Sequence, residues 1–238
     1  MRTFGLIGKN LLYSFSAKYF AQKFLKEKIT NTQYLDFEIQ DIAEFRSLIH
    51  KVNLNGLNVT IPYKESIIPL LDELSETAKI IGAVNTIRFA NGKLIGHNTD
   101  YLGFLKSINP LLDGRNRAII LGDGGSAKAI KYALKKLHIE YKTVNRNTSL
   151  SYSDITSQIT DNYSIIINTT PLGSHPEINK FPNIPYQDLT TKHLLFDLIY
   201  NPEKTKFLTY GKSRGTKTKN GLEMLKIQAE ESWKIWNT

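Results

Sequence analysis

Apolar runs bounded by turn residues alternate with amphipathic stretches along almost the whole chain, a pattern that predicts βα units and a largely parallel sheet. A first set of runs predicts strands near residues 3–7, 34–39, 56–61, 84–89 and 92–97, with helices between several of them. The segment FANGK, with Asn91 and Gly92 at its centre, predicts a tight hairpin turn between the last two strands. A second set runs through RAIILG at 117–122, a helix at about 125–138, IEYKTVN at 139–145, SIIIN at 164–168 and LLFDLIY at 194–200. Its strands are apolar without alternation, as strands covered on both faces must be. A helix over 101–112 is expected to link the two sets, and GLEMLKIQAEESWKIW at 221–236 has the apolar spacing of a helix that packs back on the first. The fold class is therefore α/β in two domains, residues 1–101 with 220–238 and residues 102–219.

The 238 residues and 41% hydrophobic content suit one large or two small globular domains. The absence of cysteine removes disulfides and thiolate metal sites. The histidines His50, His97, His138, His175 and His193 never fall at a metal-ligand spacing, so metal-free chemistry is expected. No run approaches the ~20 apolar residues of a membrane span. The apolar start is broken by Lys9 and Asn10 before it could act as a signal peptide, and a cytoplasmic protein without a membrane partner is expected. The net charge of +9 raises the question of nucleic acid. The lysines are dispersed, with only a modest group in RGTKTK at 214–219, and no helix interleaves them with aromatics. No nucleic-acid partner is expected, and an anionic small ligand suits the same sign.

The segment LGDGGSAKA at 121–129 follows a buried strand and opens a helix. Gly122 and Gly124 with Ala127 satisfy the G-x-G-x-x-G/A pattern of a Rossmann-like unit, whose small residues permit a tight turn and close approach of the backbone to a pyrophosphate. Gly125 and Ser126 complete the candidate contacts of that turn. Asp123 is an oddity, since a carboxylate near phosphate must point away from it. A site for NAD expects an acidic residue about 20 positions later to bond the ribose 2′-hydroxyl. Asn145 and Arg146 stand there instead, and an arginine can accept a 2′-phosphate through charge-assisted hydrogen bonds, so NADP is the expected cofactor.

Further motifs lie on either side of that turn. They are FGLIG with SFS near the start, NVTIPYKE at 58–65, IGAVNT at 81–86, HNTDYLGF at 97–104, NRN, NTTPLG at 168–173, DLIYNP at 197–202 and NGLEMLKIQAE at 220–230. In this order, and over nearly the whole chain, they resemble the shikimate dehydrogenase family of the shikimate/quinate dehydrogenase group. The resemblance implies an N-terminal substrate domain, an NADP-binding domain, and reversible reduction of 3-dehydroshikimate to shikimate in aromatic amino acid biosynthesis.

Lys64 and Asp100 match the family's catalytic Lys/Asp pair. A lysine ammonium beside a carboxylate can give its proton to an alkoxide and recover it in the other direction. The resemblance assigns Ser14, Ser16 and Thr60 to the substrate carboxylate with Tyr200 near it, Asn85, Asp100, Lys64 and Gln228 to the hydroxyls, and Asn58 to the same site. Asn147, Thr169, Pro171, Leu198 and Gly221 join the cofactor contacts on the same ground. The chain departs from the family where Tyr13-Ser14-Phe15-Ser16-Ala17 replaces a Ser-His-Ser-x-Ser-Pro run, where Asn147 replaces a threonine, and where Ser174 replaces a methionine. Alternatives are a relative of relaxed substrate range that takes quinate or uses NAD, and a binding module of the same fold without turnover. A monomer or homodimer is expected.

Overall fold

A computed structural model of the chain describes all residues except 13, 146–151, 157–159 and 161, with residue 153 described in its backbone only. The chain divides into two compact α/β units, residues 1–99 with 228–238 and residues 100–227.

The first unit holds a six-stranded sheet in the order β2-β1-β3-β5-β6-β4, built from β1 (Arg2–Gly8), β2 (Thr32–Glu38), β3 (Gly56–Val59), β4 (Glu73–Leu74), β5 (Thr86–Ala90) and β6 (Lys93–His97). The sheet is mixed rather than largely parallel: β1 runs parallel to β2 and β3, while β5 runs antiparallel to β3 and β6. The reversal is made at the expected hairpin, where Asn91 (φ 52°) and Gly92 (φ 73°) both take the left-handed backbone that a two-residue turn of this kind requires. Strand β3 stops at Val59, two residues short of the expected run, and a turn segment carrying Pro62 follows.

Alternation along β1 feeds two cores, because successive side chains leave a strand on opposite faces. Phe4 and Leu6 pack with Phe20 and Phe24 of helix α1 (Ser16–Lys26) and with Trp236, whereas Ile7 packs with Leu57, Val59, Ile67 and Phe45 of α2 (Glu44–Lys51). A Cβ on Gly56 would run into the Trp236 indole, so that ring lies directly on the β3 backbone. Trp236 Nε1 then donates to the Ile87 carbonyl at 3.0 Å. Helix α3 (Glu76–Ile81) begins where Ser75 Oγ accepts from the Ala78 N–H and ends at Gly82, whose φ of 69° closes a left-handed C-cap.

The second unit holds a wholly parallel sheet in the order β11-β10-β9-β7-β8, formed by β7 (Arg117–Leu121), β8 (Glu140–Val144), β9 (Ile165–Asn168), β10 (Leu194–Asp197) and β11 (Lys217–Lys219). Apart from Arg117 at the start of β7 and Asn168 and Asp197 at the ends of β9 and β10, its central strands are apolar because both faces are covered. Ala118, Ile120, Ile165, Ile167, Leu194 and Phe196 enter one core, and Ile119, Leu121, Ile166 and Leu195 enter the other. The first core is closed by α4 (Asp100–Ile108) and α5 (Gly125–Lys136), and the second by α6 (Lys206–Ser213).

Three elements differ from expectation. Helix α4 ends at Ile108, because Pro110 lacks the N–H to continue it and a 3₁₀ turn, Asn109–Leu111, follows. The run LLFDLIY leaves the sheet after Asp197. Helix α7 (Leu222–Trp236) crosses the unit boundary, with Met224 in the core beside Phe104 and Ile130 and Ala229, Trp233 and Trp236 in the core of the first unit. Residues 100–101 and 220–227 therefore fall in the second unit. Among the described residues no helix is long and apolar enough to cross a membrane.

Candidate active site

In the first unit the candidate substrate residues meet through a buried polar network. Asn85 lies just before β5, and its Nδ2 donates to Thr99 Oγ1 at 2.9 Å and to Gln228 Oε1 at 3.2 Å. The Thr99 N–H returns to Asn85 Oδ1 at 2.7 Å. Asn85, Thr99 and Gln228 are all buried. Behind them Ser232 of α7 bonds Thr86 Oγ1 at 2.7 Å, Thr99 Oγ1 at 3.2 Å and the Gln228 carbonyl at 2.9 Å.

Asn58 belongs to the same network. It is buried, its Oδ1 accepts from the Tyr34 hydroxyl at 2.9 Å, and its Nδ2 reaches Ser232 Oγ at 2.9 Å and the Asn85 carbonyl at 3.1 Å. With both ends of its amide engaged inside the unit, it supports Asn85 from behind. Ser232, Thr86 and Tyr34 were not legible as site residues, since a lone serine or threonine in an element carries no pattern of its own.

At the start of α1, Ser14 Oγ accepts from the Ser16 N–H at 3.3 Å and donates to Asp36 Oδ1 at 3.3 Å. Burial raises the Asp36 pKa, and the Ser14 bond opposes that rise. A carboxylate beside the two serines was not anticipated, and it adds a negative charge where a carboxylate ligand is expected. Thr60 follows β3, with its N–H on the Ile7 carbonyl at 2.9 Å. Lys64 sits half-buried in the turn segment after it, and its own carbonyl accepts from the Val84 N–H at 2.7 Å.

In the second unit the expected cofactor residues gather at the C-terminal ends of five parallel strands. Gly122 follows β7, Asn145 follows β8, Thr169 and Pro171 follow β9, Leu198 follows β10, and Gly221 comes two residues after β11. The chain passes from β7 to β8 on one side and to β9 on the other, so the switch point of the sheet lies between β7 and β9. Gly122 occupies that point with a φ of 104°, and a Cβ there would stand 2.8 Å from Thr169 Oγ1. Only glycine fits without strain.

Helix α5 starts from Gly124 with no side-chain cap, and a Cβ on Gly124 would meet nothing within 4 Å. The first-turn N–H groups, carrying the positive end of the helix dipole, thus suit a pyrophosphate. Asp123 is held aside by Lys131 and by Asn145 Nδ2 at 3.2 Å, which answers the difficulty of a carboxylate in this loop. Gly125, Ser126 and Ala127 form the first turn of α5. Asp100 is the buried first residue of α4, and Tyr200 lies half-buried beyond β10. Arg146 and Asn147 lie outside the described residues.

A mixed α/β unit followed by a parallel unit with a glycine turn at its switch point defines the class of dinucleotide-dependent dehydrogenases. A family model described as the shikimate dehydrogenase substrate binding domain matches residues 6–87, and the NADP(+) shikimate dehydrogenase of Desulforamulus reducens is 38% identical over 262 residues, 98% of this chain and 88% of that relative. The chain belongs to the shikimate dehydrogenase family. The crystal structure of shikimate dehydrogenase 1 from Peptoclostridium difficile matches it with a TM-score of 0.90 at 37% identity, over 100% of this chain and 92% of that one. Quinate dehydrogenase from Corynebacterium glutamicum, solved in complex with NAD, matches with a TM-score of 0.86 at 26% identity, over 99% of this chain and 93% of that one.

Proposed function

We propose that this chain is an NADP-dependent shikimate dehydrogenase that reversibly reduces 3-dehydroshikimate to shikimate in aromatic amino acid biosynthesis. The observation that carries the proposal is the contact of the Asn85 and Gln228 amides at 3.2 Å, which brings together two residues far apart in the chain and holds them in a buried network. Fixed amides offer both donors and acceptors, as the hydroxyls of a polyol ring require. Ser14, Ser16 and Thr60, with Tyr200, are the hydroxyl groups assigned to the carboxylate.

Lys64 Nζ gives its proton to the oxygen of the carbonyl being reduced and takes it back when the alcohol is oxidised, with Asp100 as the carboxylate member of the catalytic pair. The nicotinamide cofactor supplies or accepts the hydride when it is bound. Gly122, Gly124, Gly125, Ser126 and Ala127 are the residues for its pyrophosphate, Asn145, Arg146 and Asn147 for the ribose with its 2′-phosphate, and Thr169, Pro171, Leu198 and Gly221 for the nicotinamide half.

The test is turnover of shikimate or quinate with NADP or NAD, read by the near-ultraviolet absorbance of the reduced cofactor. Shikimate with NADP is expected to be the fastest pair. Turnover with no pair overturns the enzyme reading. Preference for quinate or NAD overturns only the assigned substrate or cofactor, in favour of a protein resembling the Corynebacterium neighbour.

A further inference from the structure

Asp197 ends β10, is fully buried, and has no part in the function proposed above. Buried carboxylates are rare unless paired. Burial pushes this one up to about 6, against three donors that favour the charged form: Thr205 Oγ1 at 2.6 Å, the Ile199 N–H at 3.1 Å and Asn168 Nδ2 at 3.0 Å. The titratable group facing it is the Tyr186 phenol, from the 3₁₀ turn Tyr186–Asp188, and no cation is among the groups that shift it.

Each donor belongs to a different piece of the unit. Asn168 ends β9, and its Oδ1 accepts from the N–H and hydroxyl of Thr170 at 3.1 and 2.7 Å, which shapes the loop carrying Thr169 and Pro171. Thr169 is in turn tied to the Leu121 carbonyl at 2.8 Å, beside Gly122. On the other side the Ile199 carbonyl accepts from the Gly221 N–H at 3.0 Å, and Gly221 backs so closely on the Leu198 carbonyl that no Cβ fits. Thr205 caps α6 by accepting from the Leu208 N–H at 3.3 Å. One carboxylate therefore fastens the loop after β9, the segment after β10 and the start of α6.

We infer that Asp197 is a positioning residue for the cofactor, holding Thr169 and Pro171 on one side and Leu198 and Gly221 on the other at the separation a bound dinucleotide needs. The inference rests on the proposed reading of those four residues as cofactor contacts. A hydrogen bond to a charged acceptor is roughly twice as strong as one between neutral groups, so protonation loosens this arrangement without dissolving it. Cofactor affinity then falls as pH drops through the Asp197 pKa. Stability moves the other way. A carboxyl whose folded pKa exceeds its unfolded value of about 3.9 contributes stability that is fully present below that value and lost as pH rises through the folded one. A carboxylate with a structural role alone would shift stability and leave binding untouched.

The test is calorimetric titration of NADP+ into wild type, Asp197→Asn and Asp197→Ala near pH 7.5 and near pH 5.5. At the higher pH Asp197→Ala is expected to weaken binding about tenfold or more, the loss of one charge-assisted bond or more, and Asp197→Asn by a few-fold. At the lower pH wild type and Asp197→Asn should converge, because the asparagine mimics the protonated acid. The cofactor's 2′-phosphate also titrates near pH 6, but it is common to both proteins and cancels in their ratio. Agreement of wild type and Asp197→Asn within twofold at both pH values overturns the inference and leaves the proposed function standing. Wild type that binds neither NADP+ nor NAD+ overturns both. Should Asp197→Ala fail to fold, the asparagine profile alone decides.

Discussion

Replacing Ser232 by alanine removes one hydroxyl from the centre of the network behind Asn85 and Gln228. That oxygen is within 2.7 Å of Thr86 Oγ1 and 2.9 Å of Asn58 Nδ2, and it donates to the Gln228 carbonyl at 2.9 Å. The partners keep other bonds: Asn58 Nδ2 retains the Asn85 carbonyl at 3.1 Å, and Thr86 Oγ1 can turn to Asn85 Oδ1 at 3.2 Å. No buried polar group is orphaned, so the loss is that of three good neutral hydrogen bonds, about 3 kcal/mol. Both tryptophans, Trp233 and Trp236, lie in the first unit, so their fluorescence during urea unfolding reports the stability of that unit. With Asn85 and Gln228 less firmly held, KM for shikimate should rise roughly three- to tenfold while kcat stays within about twofold, as for lost binding that is equal in ground and transition states. A stability change below about 0.5 kcal/mol would show that the serine only fills space, since surface-like substitutions fall in that range. A fall in kcat with KM unchanged would contradict the assignment of these amides to substrate binding.

Lys64→Ala should lower kcat by at least roughly a hundredfold with little change in KM, and Lys64→Arg should not restore it, because a guanidinium does not release its proton; steady-state kinetics of the three proteins decide. Asp36→Asn removes a negative charge beside Ser14 and should lower KM for shikimate about three- to fivefold, the size of a screened interaction near 1 kcal/mol; a higher KM would instead make Asp36 a residue that orients Ser14. His97 Nε2 is buried without a hydrogen-bond partner, and burial, reinforced by Arg88, lowers its pKa. The unfolded chain therefore binds the proton more readily, and stability should be lost as pH falls below about 6.5, an effect that His97→Gln should diminish in urea melts at about pH 7 and 5.

Where the covering of an element is uniform, a few residues are enough to read it. A strand with a core on each side is apolar along its middle, and so Ile165, Ile166 and Ile167 mark β9 without any partner in view. A turn whose backbone demands positive φ names its own residue, as at Gly92 and Gly122. Gly122 and Gly124 were legible for the same reason, since they follow such a strand directly, whereas Thr169, Pro171, Leu198 and Gly221 came from the family resemblance, and the parallel sheet is what carries them to one edge.

Edge strands escape that logic. Glu73–Leu74 and Lys217–Lys219 gain their backbone hydrogen bonds from β6 and β10 and need no apolar period, so only the folded sheet reveals them. The antiparallel placement of β5 likewise depends on which neighbour the hairpin meets. Sequence alone thus determined the cores and the turns, because each follows from a local rule about burial or backbone angle, while the motif residues were picked out by their resemblance to a family. Tertiary structure decided that Asn58 supports Asn85, that Ser232 stands behind Gln228, and that Asp197 ties two loops together. Those roles depend on which polar atoms arrive within hydrogen-bond distance from remote parts of the chain, and no local pattern encodes that meeting.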